Sequence, residues 1–187
     1  MIARRLSYTA PMDPLKIYDY LIKTRERVFD AVRPLTAEQY HRRFNIGLKT
    51  IASTLAHLMT SEWYYIERLE GRTVPPYEQW PIHYEKPPEK FETIELIWRT
   101  QWTHIRPVIA RERDWRRSIT WLSFPDDTRG NRRFHITCTA GDLFTQLALH
   151  EMHHRAQIMA MLRESGSGIL EDLDYNALMY DRREATV

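Results

Sequence analysis

Apolar residues recur at three- and four-residue spacing in four long stretches of the chain, the signature of helices that bury one face. The first stretch carries Tyr18, Leu21, Ile22, Val28, Phe29, Val32 and Leu35. Asp13-Pro14 supplies an N-cap followed by a proline at the first helical position, and Pro34 marks the end. Thr36-Ala37-Glu38-Gln39 then reads as a short capped turn. A second helix is predicted from about Ile51 to Glu70, with Thr50 as cap, Gly71 as stop and Ile51, Leu55, Leu58, Met59, Ile66 and Leu69 as its stripe.

A third helix is predicted over Glu89 to Arg113, with Ile94, Ile97, Trp98, Trp102, Ile105 and Ile109 facing inward and Pro107 expected to kink it or thin its hydrogen bonding. The fourth opens at Thr139, with Asp142 completing a capping box, and runs to Glu164 or Ser165 before Gly166. Ser118 to Phe124 and Arg133 to Thr139 alternate as strands do, joined by a turn from Pro125 to Gly130. The proline-rich connection from Pro75 to Pro88 holds Tyr77, Trp80, Ile82 and Tyr84, so it is expected to pack across the helices. The tail, with Ile169, Leu170, Leu173, Tyr175, Leu178, Met179 and Tyr180, should dock as well. The pattern predicts an all-α fold: a single four-helix-bundle domain over residues 1–187 with a small β-hairpin between the third and fourth helices.

Composition narrows the function. A chain of 187 residues can bury one sizeable core. Six Trp, ten Tyr and six Phe argue against disorder. A net charge of +2, with arginine pairs such as Arg4-Arg5, Arg42-Arg43, Arg116-Arg117 and Arg132-Arg133 diluted by acids, gives no basis for expecting a nucleic-acid partner. Cys138 is the only cysteine, which excludes an internal disulfide and a cysteine-based zinc motif and reads as a small packing residue. No signal-peptide core and no apolar run of about 20 residues occurs, so a cytoplasmic protein without a membrane partner is expected. There is no GxSxG, P-loop or GxGxxG element.

The chemistry concentrates in the fourth helix. His150 and His154, four residues apart, share a helical face and can converge on one ion. Histidines at the edge of a buried face are the bland alternative. A helical wheel places both on a flank of the apolar face near Leu147 and Met161, places Glu151 among the apolar residues, and turns His153 toward solvent. On the second helix His57 lies opposite the strongest apolar stripe, beside Ser61 and Tyr64, where periodicity makes it exposed. His41, His83, His104 and His135 read as packing or surface residues.

Ile51-Ala52-Ser53-Thr54-Leu55-Ala56-His57-Leu58 together with His150-x3-His154-Arg155-x-Gln157 resembles the DinB/YfiT-like superfamily. Leu162-Arg163-x-x-Gly166 and Leu173-Asp174-Tyr175 extend the likeness over most of the chain, with Ala156 where members often have glycine. The resemblance implies a four-helix bundle, often dimeric, holding a divalent metal on His57, His150 and His154. The donor set suits zinc, nickel, iron or manganese.

Such a centre can activate water or a thiol. Two activities are implied: hydrolysis, or transfer of a low-molecular-weight thiol co-substrate to a small-molecule electrophile, as in bacillithiol and mycothiol transferases. The alternative is a non-catalytic metal-binding or stress-response scaffold. Glu62, Gln146, Glu151 and Gln157 are candidates to orient the ligand rings, Glu62 is a weak candidate base and Arg155 a weak candidate for an anionic substrate.

Overall fold

The computed structural model describes residues 12–125, 130–167 and 172–182. The turn tip at Asp126 to Arg129, the tail residues Ile169 and Leu170, and the Arg4-Arg5 pair lie outside the described residues. Four long helices dominate: α1 (Pro14–Val32), α3 (Ile51–Leu69), α4 (Phe91–Arg111) and α5 (Ala140–Glu164). Short helices α2 (Ala37–His41) and α6 (Tyr175–Met179) and the strands β1 (Ser118–Leu122) and β2 (His135–Thr139) complete the set.

The helices start where their caps direct. The Asp13 carboxylate accepts from the Leu15 and Lys16 amides, and Thr50 Oγ1 accepts from the Ser53 amide. Thr36 with Gln39 and Thr139 with Asp142 form complete capping boxes, satisfying amides that have no intrahelical partner. The third long helix is shorter than its pattern predicts, beginning at Phe91 and ending at Arg111. It runs on through Pro107, and the buried Val108 and Ile109 hold its last turn against the core.

α1 and α3 lie diagonally opposite, each packed against both α4 and α5. β1 and β2 pair antiparallel from Ser118 opposite Thr139 to Leu122 opposite His135, each strand shorter than predicted. Ile119 turns inward to the core, and Thr120 and Thr137 share a cross-strand hydroxyl contact of 2.9 Å. β2 passes directly into α5. The join is pinned by the Ala140 and Gly141 amides donating to Arg117 and Trp115 carbonyls. The tail docks through the Tyr20 hydroxyl on Leu173 O, at 2.9 Å, and Lys23 Nζ on Leu178 O, at 3.1 Å. No helix among the described residues is long and apolar enough to cross a membrane.

The core falls into two apolar clusters. One gathers Val28, Phe29, Leu55, Met59, Trp98 and Ile158; the other gathers Tyr18, Leu21, Ile66, Ile105, Leu143 and Leu147. Where α1, α3 and α5 pass from one cluster to the other, each contributes a charged residue: Arg25, Glu62 and Glu151, all at most 4% exposed. Arg25 bridges both carboxylates, and its guanidinium lies 4.9 Å from the Trp98 ring centroid and 5.3 Å from that of Tyr18. Glu62 also accepts from Trp98 Nε1 and Gln101 Nε2, both at 2.7 Å. Burial opposes the charge on Arg25, but Glu151 and Glu62 outweigh it and hold the guanidinium protonated.

Candidate metal centre

His150 and His154 project from α5 toward His57 on α3, the helix packed against it. His57 Nε2 and His150 Nε2 are 3.0 Å apart, and the ring centroids of the three histidines are separated by 4.6 to 4.9 Å. One nitrogen from each ring lies within 4.8 Å of the other two. Nitrogens bound to one tetrahedral ion at about 2.0–2.1 Å stand roughly 3.3 Å apart, so small side-chain rotations bring this set onto a metal. Each ring is half-buried, leaving the outer side of the cluster open.

His57 is not exposed as its own helix predicts. The connection from Val74 to Glu89 folds back over α3, burying Val74 and Ile82, while Thr60 Oγ1 contacts Ile82 O at 3.3 Å. Tyr84 is thereby set edge-on to His57 at 5.3 Å, and Tyr65 stands edge-on to His150 at 6.1 Å. His153 is exposed and turned outward, as the wheel predicts.

His154 is oriented by Gln157, one turn further along α5. The Gln157 Oε1 atom is 2.8 Å from His154 Nδ1, and its Nε2 is 2.9 Å from His153 Nε2. A carbonyl oxygen only accepts, so the His154 proton sits on Nδ1 and the Nε2 lone pair is free for a ligand bond. Gly47 makes room for this amide. Its φ is +43°, and a Cβ there would stand 2.1 Å from Gln157 Oε1. Gln157→Ala is accordingly expected to lower metal affinity about 10- to 100-fold, read by chelator competition, with the fold intact. Gly47→Ala should reproduce part of that loss by displacing the amide. Unchanged affinity in both variants would remove Gln157 from the site.

The remaining candidates are engaged elsewhere. Glu62 and Glu151 are the partners of Arg25, and Gln146 Nε2 reaches the Tyr65 hydroxyl at 3.4 Å. Arg155 is 7% exposed and donates to Thr24 Oγ1 at 2.6 Å and to the Tyr20 hydroxyl at 2.8 Å, a bracing role between α5 and α1. Cys138, half-buried on β2, has its thiol pushed up by burial, then by Asp142, which favours the protonated form. The helical wheel places Glu151 on the apolar face but says nothing of its partners, although Arg25 and Glu62 likewise fall on the apolar stripes of their own helices.

Burial lowers the pKa of His57 and His150 to about 4, reinforced by neighbouring imidazoles, and moves His154 in the same direction. Neutral rings are the form that binds metal. Because the unfolded chain binds protons more readily, the metal-free protein should lose stability as pH falls from about 6.5, the ordinary histidine value, toward about 4. Metal affinity should stay level through neutral pH and decline chiefly as pH falls toward about 4, where His57 and His150 take up protons in the folded protein. An affinity already falling steeply between about pH 7 and pH 6, as it would for unshifted histidines, would contradict this.

The comparisons with known proteins agree with the fold. The model of the DinB family matches residues 7–180. Protein DinB of Bacillus subtilis (strain 168) is 23% identical over 154 residues, covering 81% of this chain and 85% of that protein. A crystal structure of a DinB-like protein from Bacillus cereus ATCC 10987 superposes with a TM-score of 0.61 at 17% identity, covering 85% of this chain and 94% of the other. With a family match spanning nearly the whole chain, a bundle of the same architecture and a three-histidine cluster between α3 and α5, the chain belongs to the DinB family.

Proposed function

We propose that the protein is a divalent-metal-dependent enzyme that activates a low-molecular-weight thiol, or water, for attack on a small electrophile. The observation that supports this most directly is the convergence of three neutral, half-buried imidazoles from two packed helices. A divalent ion held by His57, His150 and His154 would supply a Lewis acid of undiminished +2 charge, able to lower the pKa of a bound thiol or water.

The surroundings favour thiol transfer over hydrolysis. Metal-assisted hydrolysis commonly uses a carboxylate or imidazole to pass a proton. Here Glu62 and Glu151 are tied to Arg25, and Glu85, which acts electrostatically on His57, is hydrogen-bonded by the Tyr77 hydroxyl. Transfer of a thiolate to an electrophile needs no such group once the thiol has lost its proton. Tyr65 and Tyr84 flank the histidines with aromatic edges suited to an apolar electrophile.

The test begins with elemental analysis of protein purified without chelator, followed by turnover of monochlorobimane with a panel of low-molecular-weight thiols. A stoichiometric first-row metal and turnover with at least one thiol, lost in His154→Ala, are expected. Bound metal without turnover by any thiol, but with ester or amide hydrolysis, would move the reading to hydrolase. Metal without either activity would favour a non-catalytic metal-binding scaffold.

A further inference from the structure

The face of α3 that carries His57 continues through Ser61 and Tyr64 to Arg68 at the far end of the helix, eleven residues or about 16 Å away. There a cavity of about 370 Å³ opens between the end of α3, the segment that follows it, and β1. That is within the range of small-molecule pockets. Among the described residues its charged lining is arginine alone: Arg68, Arg72 and Arg133. Two are engaged, Arg72 with Glu67 and Glu70, and Arg133 Nε with Ser123 O at 2.8 Å.

Arg68 is different. Its guanidinium carbon lies 5.0 Å from the Tyr64 ring centroid and 5.3 Å from that of Trp121, and it makes no ion pair or hydrogen bond among the described residues. Its Nε and the indole Nε1 of Trp121 are both buried without a hydrogen-bond acceptor. The helix C-terminus accounts for a basic residue in this turn, since carbonyls point outward there. It does not account for two N–H donors left unpaired on residues that line one cavity, because buried donors in native proteins are almost always satisfied. The C-terminal carbonyl of Leu69 is already taken by Arg117, so it does not compete for Arg68.

We propose that this cavity binds the anionic end of a small molecule, a carboxylate or phosphoryl group, with the Arg68 guanidinium and the Trp121 indole as donors. Aromatic rings beside the guanidinium steer its donors in its own plane, the geometry of a fork on two oxygens. Val74, Ile119 and Phe124 give the remainder of the ligand an apolar surface. The proposal goes beyond the metal-site reading and does not depend on it.

The test follows the indole resonances of the full-length protein by ¹H–¹⁵N spectroscopy, with that of Trp121 assigned through Trp121→Phe. Inorganic phosphate and acetate are titrated separately at constant ionic strength, with chloride as the control. A saturable shift of the Trp121 resonance with phosphate or acetate is expected, and whichever anion binds more tightly identifies the preferred group. Arg68→Gln should weaken it about tenfold or more, while Arg106→Gln, which removes the exposed partner of Asp19, leaves it unchanged. The other indole resonances report that Arg68→Gln is folded. No saturable shift, the same shift with chloride, or an undiminished shift in folded Arg68→Gln would overturn the proposal.

Discussion

Alanine at His150 or His154 is expected to cut divalent-metal affinity by about 10²–10³-fold, the largest binding effect of any single substitution in the protein. Zinc sites with four ligands bind with roughly 10–16 kcal/mol, so one ligand contributes on the order of 3–4 kcal/mol. His57→Ala should lose a similar amount, because its ring is the one ligand drawn from outside α5. Chelator competition measures the affinity, and the thermal shift on adding metal gives an independent reading, since an ion that binds the native state alone raises the midpoint. The same substitutions should leave the metal-free midpoint nearly unchanged. Each removes one half-buried ring, neutral at neutral pH, from the edge of the bundle and not a core contact. His153→Ala removes an exposed ring that meets the cluster only through Gln157 and the edge of His154 and should have a small effect. If His57→Ala binds metal as the parent does, the ion is held by α5 alone and the three-ligand reading fails.

The sequence made different parts of this site legible for different reasons. His150 and His154 follow from helical geometry within one element, and Gln157 from a further turn of the same helix. Helix starts were equally accessible, because the caps at Asp13, Thr50 and Thr139 are local chemistry between residues two or three apart. His57 was not accessible to periodicity. Its burial comes from a connection some twenty-five residues downstream that lays Tyr84 against it. The family motif carried that information where the helical wheel did not. Gly47 is a similar case. Its need for a bare α-carbon arises from an amide on α5 more than a hundred residues away. The charged layer was legible only in part: Glu151 stands out on its apolar face, but its link to Arg25 and Glu62 joins three helices far apart in the chain and has no local spacing to announce it.

That layer carries the second large effect, in stability. Arg25→Met should destabilise the protein by about 3–5 kcal/mol, the cost of leaving buried charges without their partner. The arginine neutralises Glu62 on α3 and Glu151 on α5 at once, and methionine fills much of its volume while removing both ion pairs. Glu62 keeps Trp98 and Gln101 as donors, so Glu151 bears more of the loss. A domain of this size shifts by about 2–4 °C per kcal/mol, so a fall of roughly 6–20 °C is expected in thermal unfolding.

The pH dependence separates this cause from simple loss of packing. Burial, the largest influence on Glu151, already pushes its carboxyl upward against the pull of Arg25. Without the guanidinium the native state retains its proton to higher pH than the unfolded chain does. The Arg25→Met deficit should therefore be smallest near the ordinary glutamate value of about 4.3 and grow as pH rises. Adding Glu62→Gln and Glu151→Gln should recover much of the stability at neutral pH, because amides leave no charge to desolvate. A deficit that is flat with pH and unrelieved by the two amides would mean that Arg25 acts through the Tyr18, Trp98 and Trp102 rings stacked around it rather than through its carboxylates.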